Sequence, residues 1–311
     1  MRRRAGHPGA GGPHPRVSVR GVTTVPPAEP FDRSPVPPLL DRLVDDIGLM
    51  APRSGPPATD AVVSHFLEAR DGRHGALVGQ LVCPMSRLPQ LVRELARRQP
   101  TRPVDVSLVV DTGLGAVPKA LSTVFSRSSL LTPRTIETAA PVDVDAVWLE
   151  RVAEFVPDDV VAVVEPLRPV ATDEAGTAAW LDAVRRVAEH GCTPKLRCGG
   201  PRASDVPSVD EVERFVRIVV EAKGGFVALG LRAVAPVDGP QRHGLLNLLV
   251  AVARVRSGGD VAAALTDTDA AALVRETRAL APSQVKDLRA VLLRCGADPA
   301  PGPELTALGL L

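Results

Sequence analysis

Short apolar segments alternate with longer amphipathic segments along most of the chain. From residue 75 onward the pair recurs about six times, and the valine-rich apolar segments are 75–83, 104–111, 133–138, 160–166, 193–198 and 226–232. Their ends lie 26 to 37 residues apart, which suits a strand followed by a crossover helix. The pattern therefore predicts repeated βα units.

The longer segments have the periodicity of helices that pack one face against a sheet. Met85, Leu88, Val92 and Leu95 share one face of a helix predicted over 85–98. The same reasoning predicts helices over 143–155, 174–190, 209–222 and 244–256, of which the last is apolar on nearly all sides.

The segments on either side of the repeats are predicted to be helical. Ahead of the repeats, periodicity predicts a helix over 58–70 and an earlier one over 38–49, whose polar face would carry Asp41, Asp45 and Asp46. Residues 260–311 are predicted to form two or three further helices that pack around the outside or cap one end.

Continuous apolar strands that alternate with helices indicate a parallel sheet covered on both faces. A closed, TIM-barrel-like parallel barrel and an open, doubly wound α/β sheet both fit this pattern. No GxGxxG or Walker A motif follows a strand, which removes the best evidence for a nucleotide-binding open sheet. The barrel is therefore favoured, although only six strands are clear and the third, around 134–138, is weak.

The domain organisation follows from composition. Residues 1–36 are rich in Pro, Gly and Arg and poor in large apolar side chains, so they are expected to form a disordered tail. Residues 37–311 are expected to form a single α/β barrel-like domain, because a chain of 311 residues is close to the usual size of an α/β barrel.

Charge and composition argue against several classes of partner. The chain has 37 basic and 36 acidic residues and only 3% aromatic residues, so neither nucleic acid nor a membrane surface is an expected partner. No apolar run is long enough to span a bilayer, and no secretory signal is predicted. The four cysteines form no CxxC pair and are expected to be small, half-buried residues in a reducing cytosol, with a metal or redox pair at Cys192 and Cys198 as the alternative. The oligomeric state stays open.

Candidate chemistry lies where apolar runs stop at ionisable residues. Such runs end at Asp111, Glu137, Glu165 and Lys195. Sites in parallel α/β folds form at the carboxyl ends of strands, so these side chains are expected to converge on one pocket. The alternative is that each one only marks the point where a strand leaves the core.

Lys195 and Arg197 are two residues apart, so a strand directs both to the same face. Together with Glu165 they would form an ion network or bind an anion, and Gly199 and Gly200 would let backbone N–H groups approach it. Lys195 would also permit Schiff-base chemistry if its pKa were lowered. Binding of Mg²⁺ by the carboxylates of Asp111, Glu137 and Glu165 is a weaker alternative.

A second candidate group opens the predicted helix 244–256. His243 lies at its N-terminus, where the helix dipole is expected to lower the histidine pKa and favour a neutral hydrogen-bonding or acid–base group. Asn247 follows one turn later. The alternative is a capping histidine on the surface. No histidine spacing indicates zinc.

Short motifs scattered over 38–311 resemble a family of uncharacterised, mostly actinobacterial proteins. The motifs are Leu43–Leu49, Pro84–Leu88, Lys195–Gly200, Pro207–Ser208, His243–Asn247 and Leu308–Leu311. The KxRxGG motif at 195–200 and the HGxLN motif at 243–247 are the most specific, but the resemblance implies no reaction. Relatives are expected to carry a lysine near the position of Val227 and a later His-His pair; this chain lacks both, which implies a divergent member.

The leading hypothesis is a barrel enzyme, lyase-like or isomerase-like, that acts on a small phosphorylated or carboxylated metabolite. The candidate catalytic residues are Lys195, Glu165, Glu137 and Asp111. The candidate substrate-binding residues are Arg197, Gly199, Gly200, His243 and Asn247. The alternative is a catalytically inactive binding or scaffold protein of the same fold. The sequence indicates no particular cofactor.

Overall fold

Eight parallel strands close into a barrel in the computed structural model, which describes residues 36–50, 58–169, 173–199, 206–234, 242–297 and 300–311. The strands are β1 Val44–Asp46, β2 Val78–Pro84, β3 Val104–Val109, β4 Leu131–Ala139, β5 Val161–Glu165, β6 Thr193–Arg197, β7 Phe226–Leu229 and β8 Leu292–Ala297. Each strand pairs with the next along the chain, and β8 pairs with β1. The TIM-barrel-like prediction is therefore confirmed, and the open-sheet alternative is excluded.

Eleven α-helices lie in the described part of the chain. They are α1 Thr59–Asp71, α2 Leu88–Arg98, α3 Val117–Phe125, α4 Ala146–Phe155, α5 Glu174–Glu189, α6 Val209–Glu221, α7 Leu245–Ser257, α8 Val261–Thr266, α9 Ala270–Arg278, α10 Pro282–Val291 and α11 Gly302–Ala307. The helices predicted from periodicity between 58 and 256 are confirmed to within a few residues at each end. The helix α3 has no counterpart among the predictions.

The helix predicted over 38–49 is wrong. Residues 44–46 form β1, although Leu39, Leu40 and Leu43 are buried as the apolar stripe requires. Val44 pairs with Val78 on one side and with Cys295 on the other. A three-residue strand has no periodicity of its own, so only these two pairings identify it.

The last strand, β8, lies in a region predicted to be helical. Its outward residues Leu292 and Cys295 are buried in the core, whereas Arg294 and Gly296 interrupt the apolar run that marks the other strands. The local sequence therefore does not predict β8, the strand that closes the barrel. The predicted tail over 1–36 lies, apart from Val36, outside the described residues.

The main hydrophobic core lies between the barrel and its helices. Phe226 on β7 packs edge-on against Phe215 on α6, with ring centroids 5.4 Å apart, and Phe215 stacks on Trp180 of α5 at 5.8 Å. All four cysteines are free and buried. Among the described residues, no helix is long and apolar enough to cross a membrane.

The barrel interior, in contrast, is strongly polar. Buried polar side chains project inward from β1 to β6 and include Asp45, Gln80, Ser107, Thr135, Glu137 and Lys195. Some of these side chains contact each other between strands that are not neighbours, such as Lys195 on β6 and Glu137 on β4. These contacts therefore cross the barrel interior. Charges buried in this way need partners, and those partners define the candidate site.

Candidate functional site

A buried ion pair joins β4 to β6 inside the barrel. Lys195 Nζ lies 2.5 Å from Glu137 Oε2, and only about 5% and 6% of the two side chains is exposed. The hydroxyl of Ser107 on β3 donates a hydrogen bond to the other oxygen of Glu137 at 2.5 Å. Both oxygens of the Glu137 carboxylate therefore have donors.

Two further charged side chains extend this pair to the mouth of the barrel. Glu165 Oε2 lies 3.9 Å from Lys195 Nζ, and Glu165 Oε1 accepts hydrogen bonds from Arg197 Nε at 2.8 Å and Arg197 Nη2 at 2.7 Å. The Glu165 side chain is 24% exposed and that of Arg197 is 47% exposed. Glu137, Lys195, Glu165 and Arg197, here called the mouth cluster, thus form a chain of alternating charge from the interior to solvent.

The mouth cluster holds Lys195 in its charged form. Burial alone would lower the pKa of Lys195, but the charges of Glu137 and Glu165 and the hydrogen bond to Glu137 outweigh it and raise this pKa above its usual value. The Schiff-base chemistry considered from the sequence requires a lowered lysine pKa, and that condition is not met. Lys195 is therefore held as a cation that donates a hydrogen bond to Glu137.

The Glu137 carboxylate is held in its charged form by the same contacts. Burial alone would raise the pKa of Glu137, but the Lys195 charge and the hydrogen bonds from Lys195 and Ser107 together lower it. The two members of the pair therefore stabilise each other in the ionised state.

Sequence reasoning missed a second charged pair in the interior. Arg294 Nε lies 3.2 Å from Asp45 Oδ2, and the Gln80 backbone N–H donates to Asp45 Oδ1 at 2.7 Å. Burial raises the pKa of Asp45 to about 7, although Arg294 and the Gln80 hydrogen bond oppose the increase. Asp45 is therefore a buried carboxyl group that titrates near neutral pH.

One sequence signal would have revealed this pair. The tripeptide Leu-Arg-Cys occurs at 196–198 and again at 293–295. In both places the cysteine packs outward in the core, which directs the arginine to the barrel interior or its mouth. The two tripeptides are offset in the barrel, because Val227 pairs with Lys195 on β6 and with Arg294 on β8, so Arg294 lies level with Lys195.

Two buried interior groups include nitrogen atoms without a hydrogen-bond acceptor in the described part of the chain. These atoms are Gln80 Nε2 and Arg294 Nη2; Arg294 Nε also makes no well-aligned hydrogen bond, but it is ion-paired with Asp45 Oδ2 at 3.2 Å. Gln80 Oε1 is satisfied, because the Thr135 hydroxyl donates to it at 3.0 Å. An unpaired buried donor costs about 1–3 kcal/mol, so these nitrogens indicate a place where a ligand oxygen or a water molecule would be stabilised.

Asp111 does not join the mouth cluster. Its carboxylate accepts a hydrogen bond from the Ser86 backbone N–H at 3.0 Å and another from the Ser86 hydroxyl, which ties the loop after β3 to the loop after β2. Glu137 and Glu165 face Lys195 instead. The three carboxylates therefore do not meet, and no group of three or more His, Cys, Asp or Glu residues in the described ranges could hold a metal ion.

Gly199 lies at a close backbone approach next to the mouth. A Cβ atom there would lie 2.3 Å from the Gly230 carbonyl oxygen and 2.7 Å from Arg242 Cγ, which accounts for glycine at this position. Gly200, the other glycine of the motif, lies outside the described residues.

His243 and Asn247 make buried contacts with backbone carbonyls. His243 Nε2 donates to the Pro207 carbonyl at 2.7 Å, and burial lowers the pKa of His243. The pKa of His243 is lowered, as the sequence predicted, but the main cause is burial and not the helix dipole. Asn247 Nδ2 donates to the carbonyls of Ala264 and Asp267 at 2.9 and 2.7 Å, which joins α7 to α8 and the turn after it. The structure does not bring these contacts to the mouth cluster.

The opposite side of the mouth is apolar. A Cβ atom on Gly296 would lie 2.7 Å from Leu229 Cδ1 and 2.8 Å from Ile47 Cγ2, so these side chains fill the space between β7, β8 and β1. The mouth thus has a charged half at β4 to β6 and an apolar half opposite.

No protein-family model matches the chain, and a search of curated proteins returns no match. The resemblance to the actinobacterial family therefore stays a prediction. Val227, near the position where relatives are expected to carry a lysine, is the direct register partner of Lys195.

Proposed function

We propose that this barrel is an enzyme, lyase-like or isomerase-like, that moves a proton on a small anionic metabolite. The observation that carries the proposal is the buried Lys195–Glu137 ion pair, which Glu165 connects to a half-exposed arginine at the carboxyl ends of the strands. Enzymes with this fold place their chemistry at that end.

In this proposal Arg197 binds the anionic group of the substrate. Its guanidinium is half exposed and forms a two-nitrogen contact with one oxygen of Glu165. Guanidinium groups bind carboxylate and phosphate in a bidentate manner, so a substrate anion competes with Glu165 for this contact. Binding would release the Glu165 carboxylate toward the substrate.

Glu165 is then the group that accepts and returns the proton. It lies between Lys195 and Arg197 and keeps partial access to solvent. A carboxylate within hydrogen-bond reach of a substrate carbon acid is a suitable general base. Asp111 stays outside this proposal because its carboxylate binds Ser86.

Lys195 stabilises the negative charge that develops when the proton leaves. A preorganised cation in a site shielded from water lowers the energy of an enolate-like oxygen. Glu137 and Ser107 do not touch the substrate in this proposal; they position the ammonium group and keep it charged.

The alternative function, a non-catalytic binding protein, is favoured by one observation. Glu137 and Glu165 both pair with Lys195 and neutralise its charge, as in a purely structural ion network. The two functions differ in whether the substrate exchanges a carbon-bound hydrogen with solvent.

The test is a deuterium wash-in experiment. The full chain is incubated in D₂O with a pool of small carboxylates and phosphate esters, and mass spectrometry reports any compound that gains deuterium. We expect at least one such compound with the unmodified chain and none with Glu165→Gln or Lys195→Met. The control Glu213→Gln alters a carboxylate on α6 that is ion-paired with the α6 surface arginine Arg217, and it should retain full exchange.

Two results would reject the proposal. The first is exchange that persists in Glu165→Gln. The second is a borohydride-trapped adduct on Lys195, because it would require the neutral amine. Binding of a pool member without exchange would favour the non-catalytic function.

We also propose a cytoplasmic location. Four free, buried cysteines suit a reducing compartment. With a net charge of +1, a small metabolite remains the proposed partner, and neither nucleic acid nor a membrane is proposed.

A further inference from the structure

A cavity of about 310 Å³ lies at the amino ends of β1, β2 and β3, which is the end of the barrel opposite the mouth cluster. Four arginines line this amino-end cavity, and they come from the segment before β1, the end of α1, the turn after α1 and the segment before β3: Arg42, Arg70, Arg73 and Arg102. The proposed reaction uses none of them.

Among the residues that the structure describes, the guanidinium groups at the amino-end cavity outnumber the carboxylates that face them. Asp105 accepts from Arg42 at one oxygen and from Arg134 Nε at the other, the latter at 2.7 Å. Asp71 binds Arg70 through both oxygens at 2.9 Å and lies 3.7 Å from Arg102. Each of these two carboxylates therefore interacts with two guanidinium groups. The four groups are those of three lining arginines and of Arg134.

The other charged residues of the lining that the structure describes leave this excess in formal charge unchanged. Asp41 and Arg73 also line the cavity and offset each other in formal charge. With the two shared carboxylates, the set of five arginines and three aspartates has a formal charge of +2. A cavity of this charge attracts a dianion.

One arginine of the cavity is buried at its floor, and two others are half exposed at its rim. The Arg70 side chain is only 6% exposed, and its Nη1 donates to the Arg102 carbonyl at 3.2 Å. Arg42 and Arg102, in contrast, are 50% and 57% exposed. The rim arginines can therefore turn toward a ligand while the floor stays fixed.

The backbone of Arg42 is strained in a way that favours a functional role. Its φ angle is +50°, a left-handed conformation that non-glycine residues rarely adopt. Its N–H donates to the Ala76 carbonyl at 2.6 Å, which holds the residue in this conformation. Such strain costs about 1–3 kcal/mol and clusters at ligand-binding and active sites.

We propose that the amino-end cavity binds the phosphate dianion group of a small molecule. The +2 charge matches the dianion, and guanidinium forks from several sides match tetrahedral phosphate oxygens. The volume of about 310 Å³ is at the lower end for small-molecule sites, which favours a small phosphate compound. The site is independent of the proposed reaction, so either proposal can fail alone.

Isothermal titration calorimetry on the full chain tests this site, with inorganic phosphate, glycerol 2-phosphate and succinate as probes. We expect both phosphate probes to bind more tightly than succinate. The double variant Arg42→Gln/Arg102→Gln should weaken phosphate binding at least tenfold. The matched control Arg185→Gln/Arg217→Gln removes two surface arginines with side-chain exposures of 45% and 44% and should bind as the unmodified chain does.

The single variant Arg102→Lys provides a second test should the double variant unfold. It keeps the positive charge but loses the guanidinium group that binds phosphate through two nitrogens, and it should weaken phosphate binding severalfold with an unchanged melting temperature. The proposal is overturned by the absence of phosphate binding up to about 10 mM, by equal binding to the double variant, or by a preference for succinate. Phosphate ester binding as tight as that of free phosphate would identify a metabolite site, and binding of free phosphate alone would identify an ion site; both outcomes support the proposal.

Discussion

Replacing Lys195 with methionine removes one member of the buried ion pair and leaves Glu137 without its cation. At the observed separation of 2.5 Å, the attraction is about 7 kcal/mol for an effective dielectric constant of about 20. Desolvation of the two ions offsets much of this attraction. Because both side chains are more than nine-tenths buried, solvent screens the pair weakly, and loss of one partner should cost about 3–5 kcal/mol.

The cost should depend on pH. In the unmodified chain the lowered pKa of Glu137 gives stability that is present above the unfolded pKa of about 4.3 and is lost as pH falls through the folded pKa. In Lys195→Met, burial without a cation raises the pKa of Glu137, so ionisation now destabilises the folded state above about pH 4.3. The difference in unfolding free energy should therefore be larger at pH 8 than at pH 5.

Urea denaturation at these two pH values, followed by tryptophan fluorescence, to which the buried Trp180 and the partly buried Trp148 both contribute, measures the effect. The double variant Glu137→Gln/Lys195→Met is the control, because it removes both charges and should recover most of the stability. A Lys195→Met variant that loses less than about 1 kcal/mol, the usual upper value for an exposed pair, would refute the reasoning. A loss independent of pH would also refute it.

Three other predictions follow from the interior and the packing. Burial raises the pKa of Asp45 to about 7, so its contribution to stability is full below the unfolded pKa of about 3.9 and is lost as the pH rises from there to about 7. Asp45→Asn should therefore become more stable than the unmodified chain as the pH rises over that range, which urea denaturation at several pH values measures. Gly199→Ala should lower the melting temperature, since its Cβ would lie 2.3 Å from a carbonyl oxygen, whereas the control Gly115→Ala, with no atom within 4 Å, should be neutral; equal melting temperatures would contradict this. Asn247→Ala removes two hydrogen bonds of a fully buried side chain and should cost about 1–3 kcal/mol without changing metabolite binding at the mouth; a binding defect in a fully folded variant would contradict the structural role.

The amino-acid sequence determined the repeat and most of its elements. The strands β2 to β7 are readable because their outward side chains are buried under helices, and four of the five crossover helices between them, all except α3, are readable from an apolar face. The sequence also indicated that Glu165, Lys195 and Arg197 would meet. All carboxyl ends of parallel strands lie at one edge, so residues at those ends converge whatever the strand order.

Only the tertiary structure decided how the barrel closes and which charges enter it. β1 exists through its pairing with β2 and β8, and that pairing turns Asp45 from a residue of a polar helix face into a buried carboxyl group beside Arg294. Asp111, which ends an apolar run in the sequence as Glu137 does, instead binds the neighbouring loop through Ser86. The physical reason is that periodicity reports whether a side chain faces a core, whereas the partner of a buried charge is set by contacts between strands far apart in the chain.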